Sequence, residues 1–159
     1  MAEEDFLKDF VELKGTSVFA LGDSSALFMI CENKVLLAQT EAGFAEKMDR
    51  VTAGETCARP QTYELLAEIC KGFEIVPRVV LITKYIRSDE VYFARIIYFM
   101  ENELGEKILE IDARPSDALL QAAMFNAKVF IARSVLAAAP DASELLELAR
   151  KRDNKSSQS

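Results

Sequence analysis

The chain has 159 residues, half of them hydrophobic and 28% charged, which fits one globular domain and excludes a chain disordered as a whole. Its 26 acidic and 19 basic residues give a net charge of −7, which excludes a bulk basic footprint and leaves only local contacts to nucleic acid. It contains no histidine, which removes Ser-His-Asp triads, Cys-His pairs and His-ligated zinc.

In chain order, residues 10–21, 26–31 and 34–39 read as strands, separated by Gly22-Asp23-Ser24-Ser25 and Glu32-Asn33. A helix is expected over 41–53, broken by Gly54. A second is expected over 60–71, with Pro60 as its first residue, Gly72 as its stop, and Tyr63, Leu66, Ala67 and Cys70 on its apolar face. A β-meander follows in 78–87, 90–101 and 107–113. The middle strand is apolar on both faces except for Arg95, which predicts an interior position in the sheet. Residues 116–126 form a helix with almost no polar face, only Gln121 in its middle, and so a buried one. A short strand at 128–132 and helical segments near 133–138 and 141–152 complete the chain. The predicted division is a main domain over 1–139, a C-terminal helix over 140–152 and a disordered tail over 153–159.

No apolar run is long enough for a membrane helix, and the acidic start does not resemble a signal segment. Cys31, Cys57 and Cys70 show no C-x-x-C spacing and read as reduced thiols, so a cytoplasmic protein is expected. Neither a G-x-x-x-x-G-K-[ST] nor a G-x-G-x-x-G run occurs.

Two near copies, Ala58-Arg59-Pro60-Gln61-Thr62 and Ala113-Arg114-Pro115-Ser116-Asp117, each open a helix followed by β-prone sequence. They suggest an internally duplicated β/α unit within an α+β fold, with antiparallel or mixed sheet and packed helices. Strand alternation places Glu110, Asp112 and Arg114 on one face, and Ser116 and Asp117 fall in the first turn of the helix that Pro115 opens. Two readings of these residues stand. Arginine beside unpaired helix N–H groups, with carboxylates nearby, makes a phosphate and cation site. Proline, serine and aspartate are also ordinary helix-start residues, and Arg114 can pair with a neighbouring carboxylate.

The block EIDARPSDALLQAAMFNAKVFIARSVLAAA resembles the hallmark of the bifunctional nuclease family, a DNase/RNase domain with an I-D-A-R-P-S-D run. ARPQTYELLAEIC resembles that family's R-P-x-T-H-x-L-L helix, EVYFARIIY its F-Y-A-R strand, and Glu41-Ala42 the E-A pair that opens its first helix. The resemblance spans about residues 10–138. It implies Glu41, Asp112 and Asp117 as catalytic residues, Asp112 and Asp117 also binding a divalent cation such as Mg²⁺, with Glu41 or Glu110 as further candidates. Arg59, Thr62, Arg114 and Ser116 would bind substrate. The implied activity is metal-assisted hydrolysis of DNA or RNA by a homodimer, whose covering surface would be the first helix or Tyr92, Phe93, Tyr98 and Phe99. Tyr63 stands where the family has histidine, which favours the alternative, a non-catalytic oligomeric interaction module on the same fold.

Overall fold

The structure, a computed structural model, describes residues 3–159. A short helix α1 (Glu3–Asp9) leads into β1 (Phe10–Glu12), β2 (Gly15–Ala20), β3 (Ser24–Ile30) and β4 (Val35–Glu41). Helices α2 (Phe44–Ala53) and α3 (Thr62–Gly72) follow. Then come the meander β5 (Ile75–Ile86), β6 (Val91–Asn102) and β7 (Gly105–Ala113), and helix α4 (Pro115–Phe125). Strand β8 (Lys128–Ala132), α5 (Arg133–Ala138) and α6 (Ser143–Ser157) close the chain. Gly54 ends α2 as expected, with φ 70°, and Asn126, expected inside α4, instead ends it with φ 52°.

Five strands form one sheet in the order β1-β8-β5-β6-β7, and β2-β3-β4 form a second, antiparallel one. In the larger sheet only β5 and β8 run parallel, Val79 opposite Lys128 through Ile82 opposite Ile131, so the fold is α+β with a mixed sheet. That pairing sets the two units that follow the Ala-Arg-Pro copies, α3–β5 and α4–β8, side by side. Proline within β5 is accommodated by a register shift between Pro77 and Val79.

Burial follows the two-residue period. Tyr92, Ala94, Ile96 and Tyr98 of β6 face the core, whereas Val91, Phe93 and Arg95 face solvent. The β6 strand is interior, as expected, but only one of its faces is covered. Helix α4 packs over β5 and β6, and α2 joins α4 to β2 and β3. Leu27, Met29 and Leu36 of the small sheet enter this main core; Ala26, Phe28 and Val35 point outward and are covered by Ala142 and Leu146 of the α6 region.

Several expectations are corrected: α2 begins at Phe44 and not at 41, so that Glu41 ends β4, and residues 10–21 hold two strands, β1 and β2, pairing in different sheets. Pro60 lies one residue before Gln61, the N-cap of α3, and Gly72 is the last helical residue. The tail over 153–159 continues α6 to Ser157. Its serine hydroxyls bond back to carbonyls four residues earlier, and Lys155 suits the negative helix end. Tyr92 and Tyr98 point into the core and are not free to cover a partner.

Candidate functional site

Sequence brings one arginine to the start of one helix. Arg114 is the N-cap of α4, in extended conformation, with Pro115 as the first helical residue. A side chain leaving this position reaches back over the first turn, where Asp117 sits. The guanidinium Nε donates to Asp117 Oδ2 at 2.7 Å and Nη2 to Oδ1 at 3.2 Å, a two-pronged pairing. Its third nitrogen, Nη1, lies 3.6 Å from Glu41 Oε2 at the end of β4. Lys47 of α2 donates to the other Glu41 oxygen at 2.7 Å. Lys47, Glu41, Arg114 and Asp117 thus alternate in sign along one line, and the Arg114 side chain remains 63% exposed. The ammonium of Lys47, by hydrogen bond and charge, with Arg114 behind it, holds the Glu41 carboxyl below its ordinary range. The Asp117 carboxylate keeps Arg114 protonated still more firmly than usual.

This line of charges stands at the mouth of a cleft of about 1280 Å³ between α3, α4 and the inner face of β7. Thr62, the first residue of α3, borders it, as do Glu41, Lys47, Asp112, Arg114 and Asp117. Much of the remaining lining is apolar: Leu66, Tyr98, Leu109, Ile111 and Leu120. The α3 end of the cleft is fixed by Glu64, whose carboxylate accepts the N–H of Gln61 at 2.8 Å and of Cys57 at 3.0 Å. Those two N–H groups lower the Glu64 pKa.

Of the remaining expected residues, only Asp112 borders the cleft. Arg59 is exposed but does not border the cleft, because α3 begins two residues later than expected. Ser116 is buried under the first turn of α4. Asp112 borders the cleft, but it is also the register partner of Arg95, and its charge acts on that guanidinium. Glu110, on the same face, takes Arg95 Nη1 at 2.6 Å and lies outside the cleft. Sequence reasoning missed Lys47 and Glu64, which looked like ordinary solvated helix positions. It noticed Gln121 only as the single polar residue of a buried helix; the residue lines the cleft floor.

Among the described residues, no group of three or more His, Cys, Asp or Glu side chains is placed to hold a metal ion. A hard cation of the Mg²⁺ type is commonly bound by one or two carboxylates, with water and substrate phosphate filling its remaining positions. At the cleft mouth both Asp117 oxygens accept from Arg114, and the Glu41 oxygens face Lys47 and Arg114, so a cation there would have to compete with these two side chains. No helix among the described residues is long and apolar enough to cross a membrane. A family model described as the bifunctional nuclease domain matches residues 33–144. A comparison with curated proteins finds no match.

Proposed function

The chain belongs to the bifunctional nuclease domain family, and from that premise we propose that the α3–α4–β7 cleft binds a nucleic-acid strand and hydrolyses its phosphodiester bonds with help from a divalent cation. The observation that carries this reading is Arg114. Its guanidinium is oriented at two atoms by Asp117, stays mostly exposed, and stands where the unpaired N–H groups of α4 begin. A phosphate arriving there meets a planar donor already held in position. Thr62 adds a hydroxyl from the facing helix.

Glu41 and Asp117 are the residues that would hold the cation, with Asp112 at the rim. When bound, the cation supplies Lewis-acid stabilisation of the charge developing on the phosphoryl oxygens. The chain's own contribution is to orient the phosphate through Arg114 and to keep Glu41 ionised through Lys47. No histidine is present, so proton transfer falls to carboxylates or water. The free thiols Cys31, Cys57 and Cys70 fit a reducing compartment, and the cytoplasm is the proposed address.

A second reading, the interaction module, is favoured by one observation. Leu65, Leu66, Ile69 and Phe73 of α3 and Leu109 and Ile111 of β7 are between 41 and 68% exposed. Such an apolar surface also suits a second copy of the chain. Cleavage of a labelled single strand in Mg²⁺ or Mn²⁺, compared with EDTA, separates the two readings. The nuclease reading expects metal-dependent cleavage that the Asp112→Asn/Asp117→Asn double variant loses. Equal cleavage by both proteins would overturn it.

A further inference from the structure

Helix α4 is apolar almost throughout, yet Gln121 sits in its middle at 2% exposure. Its Nε2 donates to the carbonyl of Tyr63 at 3.4 Å, which leaves Oε1 as the amide's unused acceptor. That Oε1 is buried and has no hydrogen-bond partner. A buried acceptor left unsatisfied costs about 1–3 kcal/mol, so the fold gains nothing from it. Leucine at this position would be the stable choice. Gln121 also lines the cleft that carries Arg114 at its mouth. Spacings of three and four residues put Arg114, Asp117 and Gln121 on one stripe of α4. The guanidinium is held at Asp117, four residues of helix before Gln121 and a rise of about 6 Å, and a phosphate oxygen bound on its far side adds about 3 Å. That is comparable with the reach from a nucleotide's phosphate to the far edge of its base. Between them the walls are apolar and aromatic, with Tyr63, Leu66, Tyr98 and Leu120 bordering the space.

We infer that Gln121 reads the base: with the phosphate at Arg114, an unpaired base enters the cleft and an exocyclic amine donates to Gln121 Oε1. This rests on the nuclease reading and adds to it a substrate class, single-stranded nucleic acid, with a preference for amine-bearing bases. A duplex keeps its bases stacked and paired, so although one hydrogen of each amine stays free in a groove, no base can enter the cleft. The apolar walls accept the faces of any base, so the single acceptor sets the preference.

The test uses short single strands of deoxyadenosine or of 2′-deoxynebularine, the same purine without its amine, in EDTA so that binding alone is read. Wild type should bind the adenine strand roughly five- to tenfold more tightly, the worth of one neutral hydrogen bond. Gln121→Leu and Gln121→Met, which keep the volume, should bind both strands equally and melt at or above the wild-type temperature. Binding that depends on Arg114 but ignores the amine would overturn the inference and leave the nuclease reading standing. So would an amine preference that persists in both variants, or a lower melting temperature in both, which would mean the amide is satisfied within the fold. If neither strand binds and Arg114→Gln changes nothing, the nuclease reading falls and this inference with it.

Discussion

Arg114 combines two properties that usually exclude one another: it is held at two atoms by Asp117, yet most of its side chain meets solvent. Exposed pairs of this kind contribute little to stability, about 0–1 kcal/mol. Arg114→Lys is therefore expected to leave the melting temperature nearly unchanged while weakening single-strand binding roughly tenfold or more, because lysine cannot make the planar two-atom contact. A melting curve beside a binding titration checks this; a large loss of stability with unchanged affinity would assign Arg114 a structural role. Titration behaviour also belongs to this scale. Glu64 is lowered by the N–H groups of Gln61 and Cys57, Glu41 by Lys47, and Asp141 by the Ser143 hydroxyl and the Val35 N–H. Carboxyls lowered in the folded state stabilise it above their ordinary values and lose that contribution as pH falls through the lowered ones. With no histidine in the chain, the melting temperature should be flat from about pH 5.5 to 7. It should fall only as the pH drops below the ordinary glutamate value of 4.5. A midpoint near pH 6 would contradict this assignment.

Helix α3 shows how a single residue sets an element and, through it, a site. Glu64 joins Cys57 and Gln61 to the first turn, so Glu64→Ala should lower the melting temperature and displace the Thr62 side of the cleft, with Glu64→Gln intermediate. The opposite case is the end of α6. Beyond Arg152 every residue is exposed, so removal of 153–159 should leave the melting curve unchanged; a clear drop would show packing that burial does not indicate. Much of the element order was legible because periodicity, Gly54 and Pro115 mark the boundaries locally. Arg114 and Asp117 were legible as neighbours at one helix start because Pro115 marks that start locally. The placement of Arg59 was not, because whether Pro60 lies inside or outside the first turn depends on the Glu64 cap. Nor was the Arg114–Glu41 approach, which depends on how the end of β4 meets α4, a tertiary matter.

At the scale of the whole molecule, β7 is an unpaired edge strand beside the exposed apolar face of α3. Edges of this kind are ordinarily covered or charged. A homodimer through this region would close the cleft that Leu66, Leu109 and Ile111 line and so belongs to the interaction-module reading, which expects light scattering at micromolar concentration to give twice the 17.7 kDa of one chain. A mass of one chain would leave the apolar surface to the nucleic acid. The acidic charge of −7 also makes a distinct demand, since the chain as a whole repels its proposed ligand and the cleft offers Lys47 and Arg114 against it. Binding should therefore rest on very few phosphate contacts and show a shallow salt dependence. The most direct measurement is the affinity of wild type and Arg114→Gln for a short single strand across a salt series in EDTA. If Arg114 holds a phosphate, the plot of log affinity against log salt should flatten by roughly 0.7 in the variant, the value of one lost single-strand contact, as the affinity falls. Identical slopes and affinities for the two proteins would contradict a phosphate site at Arg114.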